Sequence, residues 1–318
     1  MTRMTYFGLK IGRGILLDSH KKRETVRMVL NKEHKELDAL ISLIDEPSEE
    51  MFQAIHDRIF TYGPMAIPLL ENAWENIFDP LVQKRIEDLI HVIHIDDLKQ
   101  EMHQWALNYS DDLLRGYLIL TRFQYPQIDQ EAIIKQAGQI SQDVWLELNA
   151  NLTGLEKVKV INHILFDVHK FGSNVSGGKL PEGLYLNTLL ESKKGTPLSL
   201  GMLYIIIAQS LKIPIYGVDL PRHFVLAYID QYSLADSGTP GGEVLFYLNP
   251  FNKGAVFTRN EVELFVKQLK LEKKDTFFRP CDNKTIIRRL ISELAHLYEE
   301  TGNSGKCDEI KELGKEIE

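Results

Sequence analysis

The stretch PLSLGMLYIIIAQSL, starting at Pro197, constrains this chain more than any other. Its centre, MLYIIIA at 202–208, is the longest apolar run in the sequence. A helix that is apolar all round is covered all round, so this one reads as a buried helix. No segment approaches the roughly 18 uninterrupted apolar residues needed to cross a bilayer. Two β-like segments follow, IPIYGVDL and HFVLAYID, rich in branched and aromatic residues. A third, EVLFYLNPF, closes at Asn249-Pro250. Between the second and third, SLADSGTPGG at 233–242 reads as a long turn, which makes those strands a hairpin.

The flanks have a different period. From 34 to 170 apolar residues recur every three or four positions, as in KELDALISLIDE and EEMFQAIHDRIFTYG, giving paired helices with short polar connections. The unit running into GPMAIPLL looks like a HEAT-type helical pair, although its period is not sustained. KFGSNVSGGKLPEG at 170–183 reads as a loop. After 276 two amphipathic segments, KTIIRRLISELAHLYEETG and KCDEIKELGKEIE, form a helical hairpin. The expected organisation is α+β: a basic, poorly ordered arm over 1–33, a helical repeat-like region over 34–153, a core with a small antiparallel sheet over 154–275, and a C-terminal helical hairpin over 276–318.

Charge and cysteine usage exclude several classes. The net charge of −8 gives no global sign of a nucleic-acid binder. Residues 1–32 carry 8 Lys/Arg against 2 Asp/Glu, a local +6. That arm reads as a disordered tail, as sequence upstream of a start at Met28, or as a contact for an acidic partner. It does not read as a clean secretory signal, its apolar stretch being broken by Lys10, Arg13 and two glycines. Cys281 and Cys307 are too few and too far apart for a disulfide framework or a zinc site, so the expectation is reduced thiols in a cytoplasmic protein. His91 and His94 have a usable metal spacing on a helix, with His103 nearby, but nothing completes the set. No phosphate loop is present, and no cofactor is expected.

The motifs GTPLSLGMLYIIIAQSLKIPIYGVDLPRHF and FYLNPFNKG resemble those of SirB-type transglutaminase-like proteins over about residues 155–270. Four motifs occur in the family's order. The resemblance implies a transglutaminase-like core, related in fold to papain-like peptidases. Active members of that superfamily place a Cys at a helix N-terminus, a His on a strand and an Asp on the next strand. A helix dipole lowers a thiol's pKa, the His takes its proton, and the acid orients the His. Carried over position by position, Pro197 falls on the Cys, His223 on the His and Asn249 on the Asp. Lys212 falls on the glycine of a Leu-Gly-Ile-Pro turn. Asn can orient a His, but proline has neither a nucleophile nor an N–H.

The residues around Pro197 also have a plain structural reading. Thr196 is a good N-cap, Pro197 suits the first helical position, and Gly195 permits a tight approach to the helix. Ser199 is the one hydroxyl in the first turn and is the candidate nucleophile of an alternative Ser199–His223–Asn249 hydrolase or amidase. At 3.6 residues per turn it is rotated about 200° from Pro197, which argues against that use. The expected function is therefore a non-catalytic protein that binds a peptide or protein partner through a cleft at His223, Asn249, Asp219, Gly195 and Thr196. A pure scaffold is the third possibility.

Overall fold

A computed structural model describes residues 33–174, 180–221, 223–230, 243–272 and 274–317. The basic arm up to residue 32 and the turn at 233–242 lie outside the described residues, as does 175–179 of the Gly/Ser-rich loop. The chain falls into two compact units that divide between Asp97 and Leu98.

The first unit is helical. It holds α1 (33–41), α2 (Glu49–Phe60), a 3-10 turn at Gly63–Ala66, α3 (Ile67–Asn76) and the beginning of α4 (Pro80–Asn108). Ser48 caps α2, and the proline turn GPMA sets α3. Leu37, Ile41, Ile59, Leu70, Ile86, Leu89 and Ile93 form its core.

The second unit continues through α5 (Leu113–Gln124), α6 (Gln130–Glu147) and α7 (Gly154–Asn162), which runs into a π-helical segment at His163–Val168. Next come a two-residue strand β1 (Gly172–Ser173), α8 (Leu186–Ser192), β2 (Lys194–Gly195) and α9 (Pro197–Ser210). Four strands follow: β3 (Ile215–Leu220), β4 (His223–Ile229), β5 (Val244–Asn249) and β6 (Ala255–Phe257). They pair as one antiparallel sheet in the order β3-β4-β5-β6, while β1 and β2 form a short parallel pair. The chain closes with α10 (Arg259–Gln268), α11 (Asn283–Glu300) and α12 (Ser304–Lys315). The architecture is α+β, as the alternation of periods along the sequence implies.

Helix α9 is the centre of this unit. Every residue from Leu198 to Ala208 is buried, as its all-apolar composition requires. One face of the sheet packs on α9, the other on α10. Phe224 decides the first face. Its ring fills the space where a Cβ on Gly201 of α9 or Gly217 of β3 would sit, with carbon approaches of 2.6 Å at both positions. On the second face Val218, Leu220, Val225, Ala227 and Tyr247 pack with Val262 and Val266 of α10. Gly254 has φ +68, and a side chain there would overlap Asn162, whose carboxamide spans from the Gly254 carbonyl (3.0 Å) to the Tyr204 hydroxyl (3.0 Å).

After α9 the chain turns through Lys212, at φ 55. The Ile213 N–H donates back to Ala208 O at 2.8 Å, the six-to-one bond of a left-handed helix terminus, where glycine is the usual residue.

Two stability predictions follow from this packing. Gly201→Ala should lower unfolding free energy by about 1–3 kcal/mol, because backbone or the Phe224 ring must shift; chemical denaturation measures it, and an unchanged midpoint would contradict the packing. Lys212→Gly should raise stability by about 0.5–1 kcal/mol, by removing a side chain from a left-handed position, and a thermal melt reads that gain.

Candidate functional site

The start of α9 is built by a reciprocal cap. Thr196 is the N-cap, in extended backbone, and Pro197 is the first helical residue. The Ser199 N–H donates to Thr196 Oγ1 at 3.1 Å, and the Thr196 N–H donates to Ser199 Oγ at 2.8 Å. The two hydroxyl oxygens lie 3.2 Å apart. Gly195 pairs in β2 with Ser173, close beneath Ser199. Two helix donors that no carbonyl satisfies thus find partners in side chains. Ser199 is fully buried, at 0% exposure, and its hydroxyl points back into the cap. Gly195, Thr196, Pro197 and Ser199 are therefore one constellation.

His223 belongs to another. It opens β4 opposite Leu220, and strand alternation sends its neighbour Phe224 to the α9 face. The His223 ring lies instead against Phe265 of α10, edge-on, with centroids 4.5 Å apart. That is the face of the sheet shared by Val225 and Ala227. The ring thus lies on the sheet face opposite the one that Phe224 presents to α9. Partial burial holds the His223 pKa below the usual histidine range, and the nearby Arg289 charge lowers it further.

Asn249 ends β5, next to Leu248, which pairs with Leu226. Its Oδ1 accepts from the Phe251 N–H at 3.1 Å and the Asn252 N–H at 3.3 Å, capping the 3-10 turn Pro250–Asn252. The amide oxygen thus serves its own turn rather than the His223 ring.

Asp219 faces a residue that the motifs do not contain. The Arg289 guanidinium, on α11, donates to the Asp219 carboxylate and to the carbonyls of Leu220 (2.9 Å) and His223 (3.4 Å). Its Nε donates to Glu293 Oε1 at 3.0 Å, and its guanidinium carbon lies 5.7 Å from the Phe224 ring centre. Arg289 therefore straps the β3–β4 turn to α11. The amphipathic pattern of KTIIRRLISEL announced a helix there, but spacing alone gave no reason to connect it with the turn.

Cys281 is tied to β3, its N–H donating to the Gly217 carbonyl at 2.8 Å. Cys281 and Cys307 are free; burial pushes the Cys281 thiol up to about 12, far from a reactive thiolate. His91, His94 and His103 all lie on α4, with His94 buried and His103 Nδ1 3.4 Å from Glu316. Among the described residues no group of three or more His, Cys, Asp or Glu is placed to hold a metal ion. None of their helices is long and apolar enough to cross a membrane.

Comparison with known proteins agrees with the motif reading at the level of superfamily. A family model described as Transglutaminase-like superfamily matches residues 131–292, half of the chain. The mouse F-box only protein 21 is 26% identical over 167 residues, which are 52% of this chain and 25% of that protein. A UPF0162 protein of Xylella fastidiosa (strain 9a5c) is 25% identical over 195 residues, 59% of this chain and 66% of the relative. A UPF0162 protein of Pasteurella multocida is 28% identical over 102 residues, 31% of this chain and 39% of the relative. The chain thus spans a quarter of the F-box relative's length and two thirds or less of these bacterial ones. No solved structure matches.

The surroundings of His223 predict its titration. Its folded pKa lies below the unfolded value of about 6.5, so the unfolded chain binds more protons in that window and stability falls as pH drops through it. An NMR titration of the ring should give a midpoint below about 6.5. In Arg289→Gln the midpoint should move up but stay depressed, because burial is the larger cause. A midpoint at or above the free-histidine value would contradict the placement against Phe265.

Proposed function

The chain belongs to the transglutaminase-like superfamily, and we propose that it is a non-catalytic member whose core binds a peptide or protein partner. The observation that carries this reading is the cap at the start of α9. The position that the resemblance assigns to the catalytic thiol holds Pro197. The hydroxyl two residues on is fully buried and hydrogen-bonded to Thr196. Nucleophilic catalysis needs an acceptor for the nucleophile's proton within about 3 Å, and the His223 ring packs on Phe265 across the sheet. These facts favour binding over the alternative hydrolase or amidase at Ser199, His223 and Asn249.

The cysteines support a reducing compartment, and with it the cytoplasmic reading, since Cys281 and Cys307 are both free thiols. Binding fits the polar groups exposed along α11 better than the cap, because Gly195, Thr196 and Ser199 are all buried.

The test is to restore the missing thiol. Pro197→Cys should give a cysteine whose pKa and alkylation rate are the same with or without a second His223→Ala change, because the imidazole cannot reach it. The wild-type chain should take no label from a serine-reactive fluorophosphonate. A Pro197→Cys thiol whose pKa rises when His223 is removed, or labelling that Ser199→Ala abolishes, would overturn the non-catalytic reading.

A further inference from the structure

The second unit carries two contiguous clefts along α11. One, of about 570 Å³, is lined by Asp219, Thr285, Arg288, Arg289, Ser292 and Glu293. The other, of about 450 Å³, shares Arg288 and Ser292 and continues past His296 and Glu299 to Lys311 of α12. Together they make a groove that follows the helix from Thr285 to Glu299. At 1.5 Å per residue that is about 20 Å, the length of five or six residues of extended chain.

The groups in the groove differ in what they have left to bind. Arg289 is spent: Asp219, Glu293 and two backbone carbonyls hold it. Arg288 is exposed and makes one hydrogen bond to protein, from Nη2 to the Ile317 carbonyl at 2.9 Å. Its Nε and other terminal nitrogen have no partner among the described residues, and the residue lines both clefts. Thr285 lies three residues before Arg288 and Ser292 four after it, so both share its side of α11. Neither hydroxyl has a partner among the described residues. A guanidinium fork between two hydroxyls matches the planar, two-oxygen geometry of a carboxylate.

The groove walls narrow the choice of anion. Asp219, Glu293 and Glu299 line it as well, and their charge opposes a phosphate of charge near −2. A single carboxylate flanked by peptide N–H groups suits the mixture better, since the wall carboxylates accept from those amides. From this we infer that the α11 groove binds an extended peptide segment through one carboxylate seated on Arg288, Thr285 and Ser292. This inference rests on the binding reading above and names its surface and its ligand chemistry.

The full chain, titrated with blocked pentapeptides and followed by amide chemical shifts, tests it. One peptide has a central Glu among alanines, a second has Gln in its place, and a third is all alanine with a free C-terminus. The Glu peptide or the free-C-terminus peptide should shift the α11 amides and bind about tenfold tighter than the Gln peptide, the worth of one charge-assisted pair. Whichever of the two binds tells whether a side-chain or a terminal carboxylate is taken. Arg288→Gln and Ser292→Ala should each remove most of that preference. Ser292 makes no side-chain hydrogen bond among the described residues, so its variant reports on the groove even where Arg288→Gln loosens the C-terminus. Neither the Glu peptide nor the free-C-terminus peptide binding more tightly than the Gln peptide, no shift along α11, or inorganic phosphate binding as tightly as the better of the two carboxylate peptides would overturn the inference. The restored-thiol experiment is blind to all of these outcomes, so the groove can fail while the non-catalytic reading stands.

Discussion

Phe224 sits where α9, β3 and β4 converge, and the space it fills exists because two glycines leave it open. A Cβ on Gly201 or Gly217 would approach the ring to 2.6 Å. The distance between helix and sheet is therefore fixed by one aromatic ring against bare backbone. Such a joint tolerates little change, because packed interiors relax only partly. It also fixes strand phase. With Phe224 held on the α9 face, His223 and Val225 must point to the α10 face. The placement of His223 against Phe265 is a consequence of this joint.

Arg289 adds a second constraint at the same place. The β3–β4 turn is short, and its carbonyls at Leu220 and His223 would otherwise lack partners on the α11 side. One guanidinium collects both, together with Asp219 and Glu293. Only 14% of the Arg289 side chain is exposed, so its charge needs those two carboxylates close by. This ties α11 to the sheet at the β3–β4 turn. The family match, ending at Ser292, takes in the strap.

Several features were legible in the sequence for physical reasons. An all-apolar helix flanked by β-branched segments has few places to go, and α9 lies where that argument puts it. The GTPLS cap was readable because capping is local: Thr, Pro and Ser within four residues satisfy their own donors. The links between distant residues were not readable. That Asp219 meets Arg289, 70 positions later, depends on how α11 packs, and no spacing rule covers it. The face taken by His223 is not written in the motif for a related reason. The motif assigned it a role, while alternation from Phe224 assigned it a direction, and only Phe224 had a steric constraint behind it.

The motif residues keep a physical use without any chemistry. Thr196 and Ser199 close a cap, Asn249 closes a 3-10 turn, and Gly201, Gly217 and Gly254 admit neighbouring side chains. Each of these is a requirement of folding, so the pattern can persist whether or not it serves any chemistry. The proline at the head of α9 fits the same logic. It presets φ for the first turn and gives up only an N–H that the helix leaves unpaired. A cysteine there would contribute a thiol but no such preference. On the proposed reading, proline at this position exchanges a chemical group for a firmer helix start, and the surrounding cap has no need to change.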